Sequence, residues 1–576
     1  MFFALLKLCD FGHAPMNYYG NVNPDLLAKI PVTAKRVLEV GCGSARLGEA
    51  FKSRSPQSKY FGIELFESAA NEAELVLDGV ICANIEQDSS IALNLSTSFD
   101  TLVFGDVLEH LQDPWKVLSD LRQYIEYGGS CIACVPNVAH WSLIAGLLQG
   151  KWDYQEAGLL DRTHLRFFTL NSAVKMFQKA GWSVVDATPR NLWPDKTEAA
   201  LKALLPAAQA LEVDATKARL NMSALQWVIR ATNGPRPKPL SIAAMGLKKM
   251  AGVTEARVDH PMMSLNSLPE VRAVWSAGGL SLPKDMTPGV LVLHRQFMAE
   301  SAFNESIEAL VTKGWTLVAE IDDDPHYWSQ YVESNFYAFK CVHAVTVSTE
   351  HLAGIIRKFN PNVQVFENAV LSIPHREASK NQKLRIFFGA LNRKSDWLPI
   401  IEGVKRAALE NKDKIEFVVV HDKEFHDALP ETIAKTFMPT LGIEKYTEVL
   451  ATCDIALLPL NDTPFNLCKS DIKLIECASA QVAVICSETV YATKPEHQEF
   501  VIYASSPQGW CDAITKLTVN NAIRQENVAK ALAYVKASRM HVHQVPNRLN
   551  FYASLVQNRA VLENQRQLRI SSLMEK

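Results

Sequence analysis

Two acids and a histidine stand together in Phe104-Gly105-Asp106-Val107-Leu108-Glu109-His110-Leu111, where an apolar run gives way to a polar turn. A second histidine, His164, follows in Gly158-Leu159-Leu160-Asp161-Arg162-Thr163-His164-Leu165-Arg166. Carboxylates and imidazoles in such a setting can take the proton of a weakly acidic hydroxyl. Equally, they can hold a hard-to-borderline divalent ion that lowers that hydroxyl's pKa. Asp106, Glu109, His110 and His164 are therefore candidate catalytic or metal-ligating residues. Three readings stay open: a bound divalent ion, His110 as a lone base with Glu109 capping a helix, or purely structural roles. Arg162 and Arg166 either meet a phosphate or pair with Asp161 on the surface.

A different chemistry is written in Arg36-Val37-Leu38-Glu39-Val40-Gly41-Cys42-Gly43-Ser44-Ala45. Val37, Leu38 and Val40 form the apolar run of a parallel strand, and Gly41 and Gly43 allow a tight turn with close backbone approach to a ligand. A helix from about Ala45 to Lys52 points its amide end at that ligand. About 20 residues on, as in dinucleotide sites, Tyr60-Phe61-Gly62-Ile63-Glu64 ends a second strand in an acid that suits the two hydroxyls of a ribose.

These groups need a sheet whose carboxyl edge gathers them. Apolar runs at Val37–Val40, Tyr60–Ile63, Val80–Cys82, Thr101–Gly105 and Cys131–Val135 alternate with helical stretches and predict a doubly wound α/β domain. A helix from Leu170 to Ala180, a strand Ser183–Ala187 and a closing strand Gln226–Arg230 complete it, and Pro136–Trp141 forms a polar loop over the same edge. Tyr18 and Tyr19, in the entry segment, either cover the cofactor or simply pack.

The Val-Leu-Glu-Val-Gly-Cys-Gly stretch with Glu64 resembles class I S-adenosylmethionine-dependent methyltransferases over about residues 16–231. The resemblance implies S-adenosylmethionine as cofactor, with Glu39, Gly41 and Gly43 around its methionine part, Glu64 on the ribose, and Asn84 and Ile85 flanking the adenine. The Asp106–His110 stretch with His164 is similar to the small-RNA terminal ribose methyltransferases, which hold Mg2+ or Mn2+ beside the attacked hydroxyl. Carried over, Asp106, Glu109, His110 and His164 are the ligands, with Asp in place of the family's first Glu and so a shorter reach.

Residues 232–254, opening with Thr232-Asn233-Gly234-Pro235-Arg236-Pro237-Lys238-Pro239, read as a semi-rigid spacer with a short helix at Leu240–Met250. The α/β alternation then restarts twice. Strands at Val271–Trp275, Val290–Leu293, Thr316–Ile321, Ala344–Ser348 and Val363–Phe366 make one lobe, residues 255–380. Strands at Leu384–Phe388, Glu416–Val420, Ile455–Pro459, Val482–Cys486 and Phe500–Tyr503 make another, residues 381–540, and residues 541–576 add a helix that packs back across the lobes. This predicts twin Rossmann-like lobes.

The last lobe resembles the donor half of GT-B glycosyltransferases of the bacterial surface-glycan type, most clearly in Pro464-Phe465-Asn466-Leu467-Cys468-Lys469-Ser470-Asp471-Ile472-Lys473-Leu474-Ile475-Glu476. A helix N-terminus near Asn466–Ser470 suits a diphosphate on its amides. Lys469, Ser470 and Lys473 surround it, and Glu476 takes ribose hydroxyls and counts as a catalytic candidate. Gly389, Arg393 and Lys394 form a second glycine turn with basic residues facing the phosphates. The retaining families often carry Glu, seven residues, then Glu, and the first position here is Cys468. In the acceptor lobe, His294, Arg295 and Asp322-Asp323-Asp324 end strands and are acceptor-site candidates; the acids orient an acceptor, bind a cation or cap a turn.

Bulk composition sets the outer limits. At 576 residues the chain needs about two to four domains. A formal net charge of −3 argues against broad binding to nucleic acid or to anionic membrane. Eleven scattered cysteines suit small core residues of a reducing compartment, and Cys131-x-x-Cys134 lies in a strand without the second pair that zinc needs. No apolar run approaches the ~18 residues of a membrane span, and the start lacks a secretory leader. The sequence thus predicts a cytoplasmic bifunctional enzyme. One half methylates a sugar or glycan hydroxyl; the other transfers a sugar from a nucleotide-sugar donor to a glycan or lipid-linked acceptor in surface-polysaccharide synthesis, with peripheral membrane contact left open. The rival expectation is a methyltransferase for a non-carbohydrate acceptor joined to a non-catalytic glycan-binding module.

Overall fold

A computed structural model describes residues 22–298, 300–376 and 382–574 of the chain. Tyr18 and Tyr19 lie outside the described residues. The chain divides into two compact units: Met1–Pro239 with Asn266–Val271, and Leu240–Leu265 with Arg272–Lys576. The whole is mixed α/β, with three sheets in which parallel pairing dominates.

The first unit holds seven strands: β1 (Arg36–Val40), β2 (Lys59–Glu64), β3 (Gly79–Cys82), β4 (Phe99–Gly105), β5 (Ile125–Pro136), β6 (Ser183–Arg190) and β7 (Gln226–Thr232). Their order is β3-β2-β1-β4-β5-β7-β6. The first five run parallel, and β7 enters antiparallel between β5 and β6. The expectation that Gln226–Arg230 closes the sheet is therefore corrected: β6 is the edge. Leu38, Val103 and Ile132 are fully buried, as strands covered by helices on both faces require. The strand order reverses between β1 and β4, which opens a crevice at their carboxyl ends, the usual ligand position of such sheets. Asp113 caps the helix Pro114–Arg122 through the amide of Lys116, so Glu109 is not that helix's cap.

In the second unit, β8 (Leu240–Gly246), β9 (Val271–Ala277), β10 (Val290–His294), β11 (Thr316–Ile321), β12 (Ala344–Val347) and β13 (Val363–Val365) form a sheet of order β13-β12-β11-β10-β8-β9. Residues 240–246 thus correct the reading of a helix inside a spacer. Their small apolar side chains are buried beside β10, and only residues 233–239 separate β7 from β8. A second sheet contains β14 (Leu384–Gly389), β15 (Ile415–Val420), β16 (Lys435–Met438), β17 (Ile455–Leu458), β18 (Ala483–Cys486) and β19 (Val501–Tyr503) in the order β16-β15-β14-β17-β18-β19, all parallel. We call these sheets, with their helices, the first and second lobes of this unit.

The C-terminal chain forms two helices, His541–Gln557 and Arg559–Met574, rather than one. They return to the first lobe: Arg566 is buried, pairs with Glu308 at 2.8 Å and donates to the Cys341 carbonyl at 3.3 Å. No described helix is long and apolar enough to cross a membrane. The ten described cysteines are free, and Cys131 and Cys134 are buried within β5.

Candidate functional site

The first unit builds its site at the crevice between β1 and β4. Gly41 and Gly43 have φ of +71° and +52°, and a Cβ on Gly41 would lie 2.4 Å from Val107 Cγ2, so the turn needs glycine there for two reasons. Glu64, at the end of β2, ties this turn to its own strand. Its carboxylate accepts from the Gly43 amide at 2.8 Å and from the amides of Leu65 and Phe66 at 2.9 and 3.0 Å. Three of about four acceptor positions are thus used, leaving room for a ligand hydroxyl. Glu39 is buried and accepts from the Tyr60 hydroxyl at 3.0 Å; burial pushes its carboxyl up to about 8. Asn84 accepts from the Glu86 amide at 2.9 Å and holds the loop that carries buried Ile85.

Beyond β4 the chain bends sharply, with Asp106 in the left-handed region at φ +55°. A short 3-10 turn, Leu108–His110, follows. The Glu109 carbonyl then accepts from the amides of Leu165 and Arg166 at 2.8 and 2.9 Å. That pair of bonds draws the loop carrying His164 back to the turn. The His110 and His164 rings meet edge to face, 4.8 Å between centroids. Ligand atoms of Glu109, His110 and His164 all lie within 4.8 Å of one another.

The two imidazoles are oriented alike. His110 Nδ1 lies 3.2 Å from the Thr163 carbonyl, and His164 Nδ1 lies 3.3 Å from the Leu159 carbonyl. A carbonyl only accepts, so each Nδ1 is placed to donate, and in the neutral ring that leaves the lone pair on Nε2. Thr163 is itself held by Asp161, to which its hydroxyl donates at 2.7 Å. Glu109 is buried, and its Oε2 has no hydrogen-bond partner. Burial, with Asp106 nearby, pushes its carboxyl well above the ordinary carboxylate range. Burial and neighbouring His110 lower the His164 pKa. Two imidazoles and a buried carboxyl with an orphaned oxygen, gathered within 4.8 Å, are what a divalent ion, or an acidic proton, would satisfy.

Asp106 is not one of this trio. Its carboxylate accepts from Gln226 Nε2 at 2.6 Å, and Gln226 Oε1 accepts from Arg190 at 2.6 Å. Burial pushes its carboxyl up to about 6, with Cys134 and Arg190 opposing. Gln226 and Arg190 were not legible as site residues, since they sit on strands far along the chain. Arg162 pairs with Glu156 rather than Asp161, and Arg166 donates to the Gln112 carbonyl and lies over the Trp115 ring.

Residues 19–187 match the family model of a methyltransferase domain. This match takes in β1 to β5, both glycines, Glu64 and the Glu109–His110–His164 trio. A methyltransferase domain of this type implies S-adenosylmethionine as methyl donor. Among curated relatives, a ubiquinone biosynthesis O-methyltransferase of Paraburkholderia phymatum is 33% identical over 101 residues, 17% of this chain and 43% of that protein. The enzyme of the same name from Burkholderia pseudomallei is 24% identical over 195 residues, 32% of this chain and 83% of that protein. The chain thus spans less than half the length of the first of these relatives. Among solved structures, Anabaena Alr3699/HepE in complex with UDP and glucose is 10% identical with a TM-score of 0.40, covering 55% of this chain and 99% of that one. A putative methyltransferase in complex with the Haloferax volcanii activator Trm112 is 15% identical with a TM-score of 0.26, covering 37% and 88%.

The second unit gathers a different set at the carboxyl edge of its second lobe, where order reverses between β14 and β17. Gly389 ends β14. Arg393 donates to Asn466 Oδ1 at 2.9 Å and pairs with Asp396 at 3.1 Å. Lys394 instead pairs with Glu424 at 2.9 Å on an exposed surface. The expectation of free amides at Asn466–Ser470 is corrected. Pro464–Leu467 is a four-residue helix, and the amides of Asn466, Leu467, Cys468 and Lys469 all bond within its turn. The next helix, Ile472–Ser479, begins after Asp471, whose carboxylate is taken by Arg539 at 2.7 Å.

Positive charge at this edge therefore comes from side chains. Lys473 Nζ donates to the Tyr446 hydroxyl at 2.8 Å and lies 3.6 Å from Glu476. Glu476 is largely buried, and its Oε2 has no hydrogen-bond partner. Ser470 accepts from Asn368 at 2.6 Å, and Lys469 pairs with Asp323 at 2.7 Å. Cys468 is fully buried among apolar side chains that include Tyr331 and Phe339, and burial pushes its thiol up to about 12.

Proposed function

We propose that this chain is a two-activity enzyme. The methyltransferase domain would transfer the methyl group of S-adenosylmethionine to a hydroxyl of a sugar or glycan. The second unit would transfer a sugar from a nucleotide-sugar donor to a glycan or lipid-linked saccharide, in the synthesis of a surface polysaccharide on the cytoplasmic side. One observation carries the methyl-transfer reading: Glu109, His110 and His164 converge, with one carboxylate oxygen of Glu109 unclaimed. That trio fits a hydroxyl acceptor, which needs a base or a cation before it attacks a methyl group. The O-methyltransferases among the relatives agree with oxygen as the acceptor atom.

In this reading the glycine turn and Glu64 hold the donor, and Glu39 faces its amino-acid end. Glu109, His110 and His164 would hold Mg2+ or Mn2+, which would supply Lewis acidity to the acceptor hydroxyl. Thr163 and Leu159 keep both rings turned, and Asp161 holds Thr163. Asp106 stands apart with Gln226 and is not used as a ligand. In the second unit Arg393, Lys469 and Lys473 would meet the donor diphosphate, and Glu476 its ribose. The rival is a methyltransferase for a non-carbohydrate acceptor with the second unit as a glycan-binding scaffold. It is favoured by one observation, that the sugar-contacting acid of the retaining families is here the buried Cys468.

The test is incubation of the full chain with S-adenosylmethionine, a panel of nucleotide sugars and saccharide acceptors, with and without divalent metal, read by mass spectrometry. Methylated and extended saccharides are expected. Methylation confined to non-carbohydrate hydroxyls would overturn the proposal.

A further inference from the structure

The three consecutive acids after β11 are not equivalent. Asp322 is partly buried and bound by Arg295 at 2.6 Å, with His294 Nε2 3.7 Å away. Asp324 caps the short turn Pro325–Tyr327 by accepting from the His326 amide at 2.9 Å. Both are spent on their own lobe. Asp323 alone is held from the other lobe, by Lys469 at 2.7 Å, with Arg295 at 3.6 Å as its second cation. The Asp323 side chain is 7% exposed and that of Lys469 is 22% exposed, so the pair is mostly shielded from water and salt.

Neighbouring contacts join the same two stretches. Tyr327 packs on Phe465 with centroids 4.5 Å apart, and Lys469 Nζ stands 4.2 Å over the Phe465 ring. Asn368 of the first lobe donates to Ser470 at 2.6 Å. The segment Thr463–Ser470 is thereby clasped to the loop after β11. Behind the clasp, His294 Nε2 is buried, and its neighbour there is the Asp322 carboxylate at 3.7 Å, beyond hydrogen-bond distance.

We propose that the Asp323–Lys469 pair is a donor-sensing latch and that Asp323 is the acceptor-positioning carboxylate of the second unit. Resting on the glycosyl-transfer reading above, it deepens that reading by setting an order of binding. Without a donor, Lys469 neutralises Asp323 and closes the acceptor side. A nucleoside diphosphate group carries more negative charge than one carboxylate and draws Lys469 to itself. Asp323 Oδ1 then loses its lysine partner and keeps only the Asp324 amide at 3.2 Å, so it can accept a hydrogen bond from an acceptor hydroxyl. Asp322 and Asp324 cannot take that role, because Arg295 and the capped turn hold them.

The test uses the full chain, with UDP, GDP, ADP and CDP as calorimetric probes and saccharide extension as the activity readout. Asp323→Asn keeps the shape but frees Lys469. Diphosphate affinity is expected to rise about three- to tenfold, the factor by which a competing partner reduces the competent fraction. Saccharide extension by that variant is expected to fall, with the loss in the acceptor KM. Lys469→Met should weaken diphosphate binding, and the double variant should show no gain over Lys469→Met. Asp322→Asn serves as the contrast: it should lower thermal stability by unpairing Arg295 and leave diphosphate affinity unraised.

Wild-type binding that is unchanged in Asp323→Asn overturns the latch while leaving the donor site standing. Absence of binding by the wild type to all four diphosphates overturns the donor reading and the latch with it.

Discussion

The two units handle charge in opposite ways. In the methyltransferase domain, Glu109, His110 and His164 have ligand atoms within 4.8 Å of one another, backbone carbonyls orient both rings, and Glu109 Oε2 is unclaimed. In the second unit, most charges near the candidate cleft already have partners: Lys469 on Asp323, Arg393 on Asp396, Asp471 on Arg539 and Lys473 beside Glu476. A site of the first kind is ready to receive a cation or proton without rearrangement, because its cost was met in folding. A site of the second kind binds by exchange, so its affinity is the difference between two sets of contacts. The first should fail sharply when one member is lost, and the second should shift by modest factors in either direction.

His110→Ala and His164→Ala are the strongest way to break this contrast. Each should lower methyl transfer by about a hundredfold or more, within the range for a lost acid–base or ligand group. S-adenosylmethionine affinity by calorimetry should stay near wild type, since Gly41, Gly43 and Glu64 are untouched. Unchanged turnover in both variants would remove the trio from the chemistry. Gly41→Ala attacks the glycine turn proposed to hold the donor. Its φ of +71° and the Val107 methyl at 2.4 Å predict a cost of about 1–3 kcal/mol. Thermal unfolding should show it, and a melting temperature equal to wild type would mean that the turn relaxes freely.

Much of this arrangement was readable beforehand, and the failures share a cause. Buried parallel strands such as Leu384–Gly389 and Thr316–Ile321 announce themselves as short β-branched or aromatic runs between turns. Leu240–Gly246 contains Leu, Met and two Ala, good helix formers, and reads as helix on propensity, but its place beside β10 makes it a strand. The short edge strand Lys435–Met438 carries no apolar run and left no signal. The helices Pro194–Ala210 and Ala215–Ser223 were likewise not foreseen, and the first carries an internal Pro206. At the candidate site, residue types singled out Glu109, His110 and His164, which the fold brings within 4.8 Å of one another. They were not enough to detach Asp106, because that depends on Gln226, 120 residues away, entering the sheet next to β5. The pairing of Asp323 with Lys469 spans 146 residues and is equally invisible to spacing.

Smaller effects sharpen the contrast. Glu476→Gln should weaken diphosphate-nucleoside binding only about tenfold, close to 1.4 kcal/mol, because Lys473 keeps Tyr446 as its partner. A loss beyond a thousandfold would mean that the second unit is as poised as the first.

The finest test is the pH dependence of the methyltransferase domain. Burial raises Glu39 to about 8 against an ordinary 4.5, so the folded state holds this proton more tightly than the unfolded chain does. Such a group contributes stability that is complete below pH 4.5 and is lost as pH rises towards 8. Wild type should therefore lose stability across that window relative to Glu39→Gln, by on the order of 1 kcal/mol once local relaxation is allowed for. S-adenosylmethionine, whose sulfonium and amino group are cationic, should favour the ionised carboxylate and flatten the difference. Melting curves at pH 5.5 and 8.5, with and without the cofactor, measure all four states. A wild-type pH profile that matches Glu39→Gln, or a difference that the cofactor leaves untouched, would detach Glu39 from the donor pocket and leave the glycine turn and Glu64 to hold the donor without it.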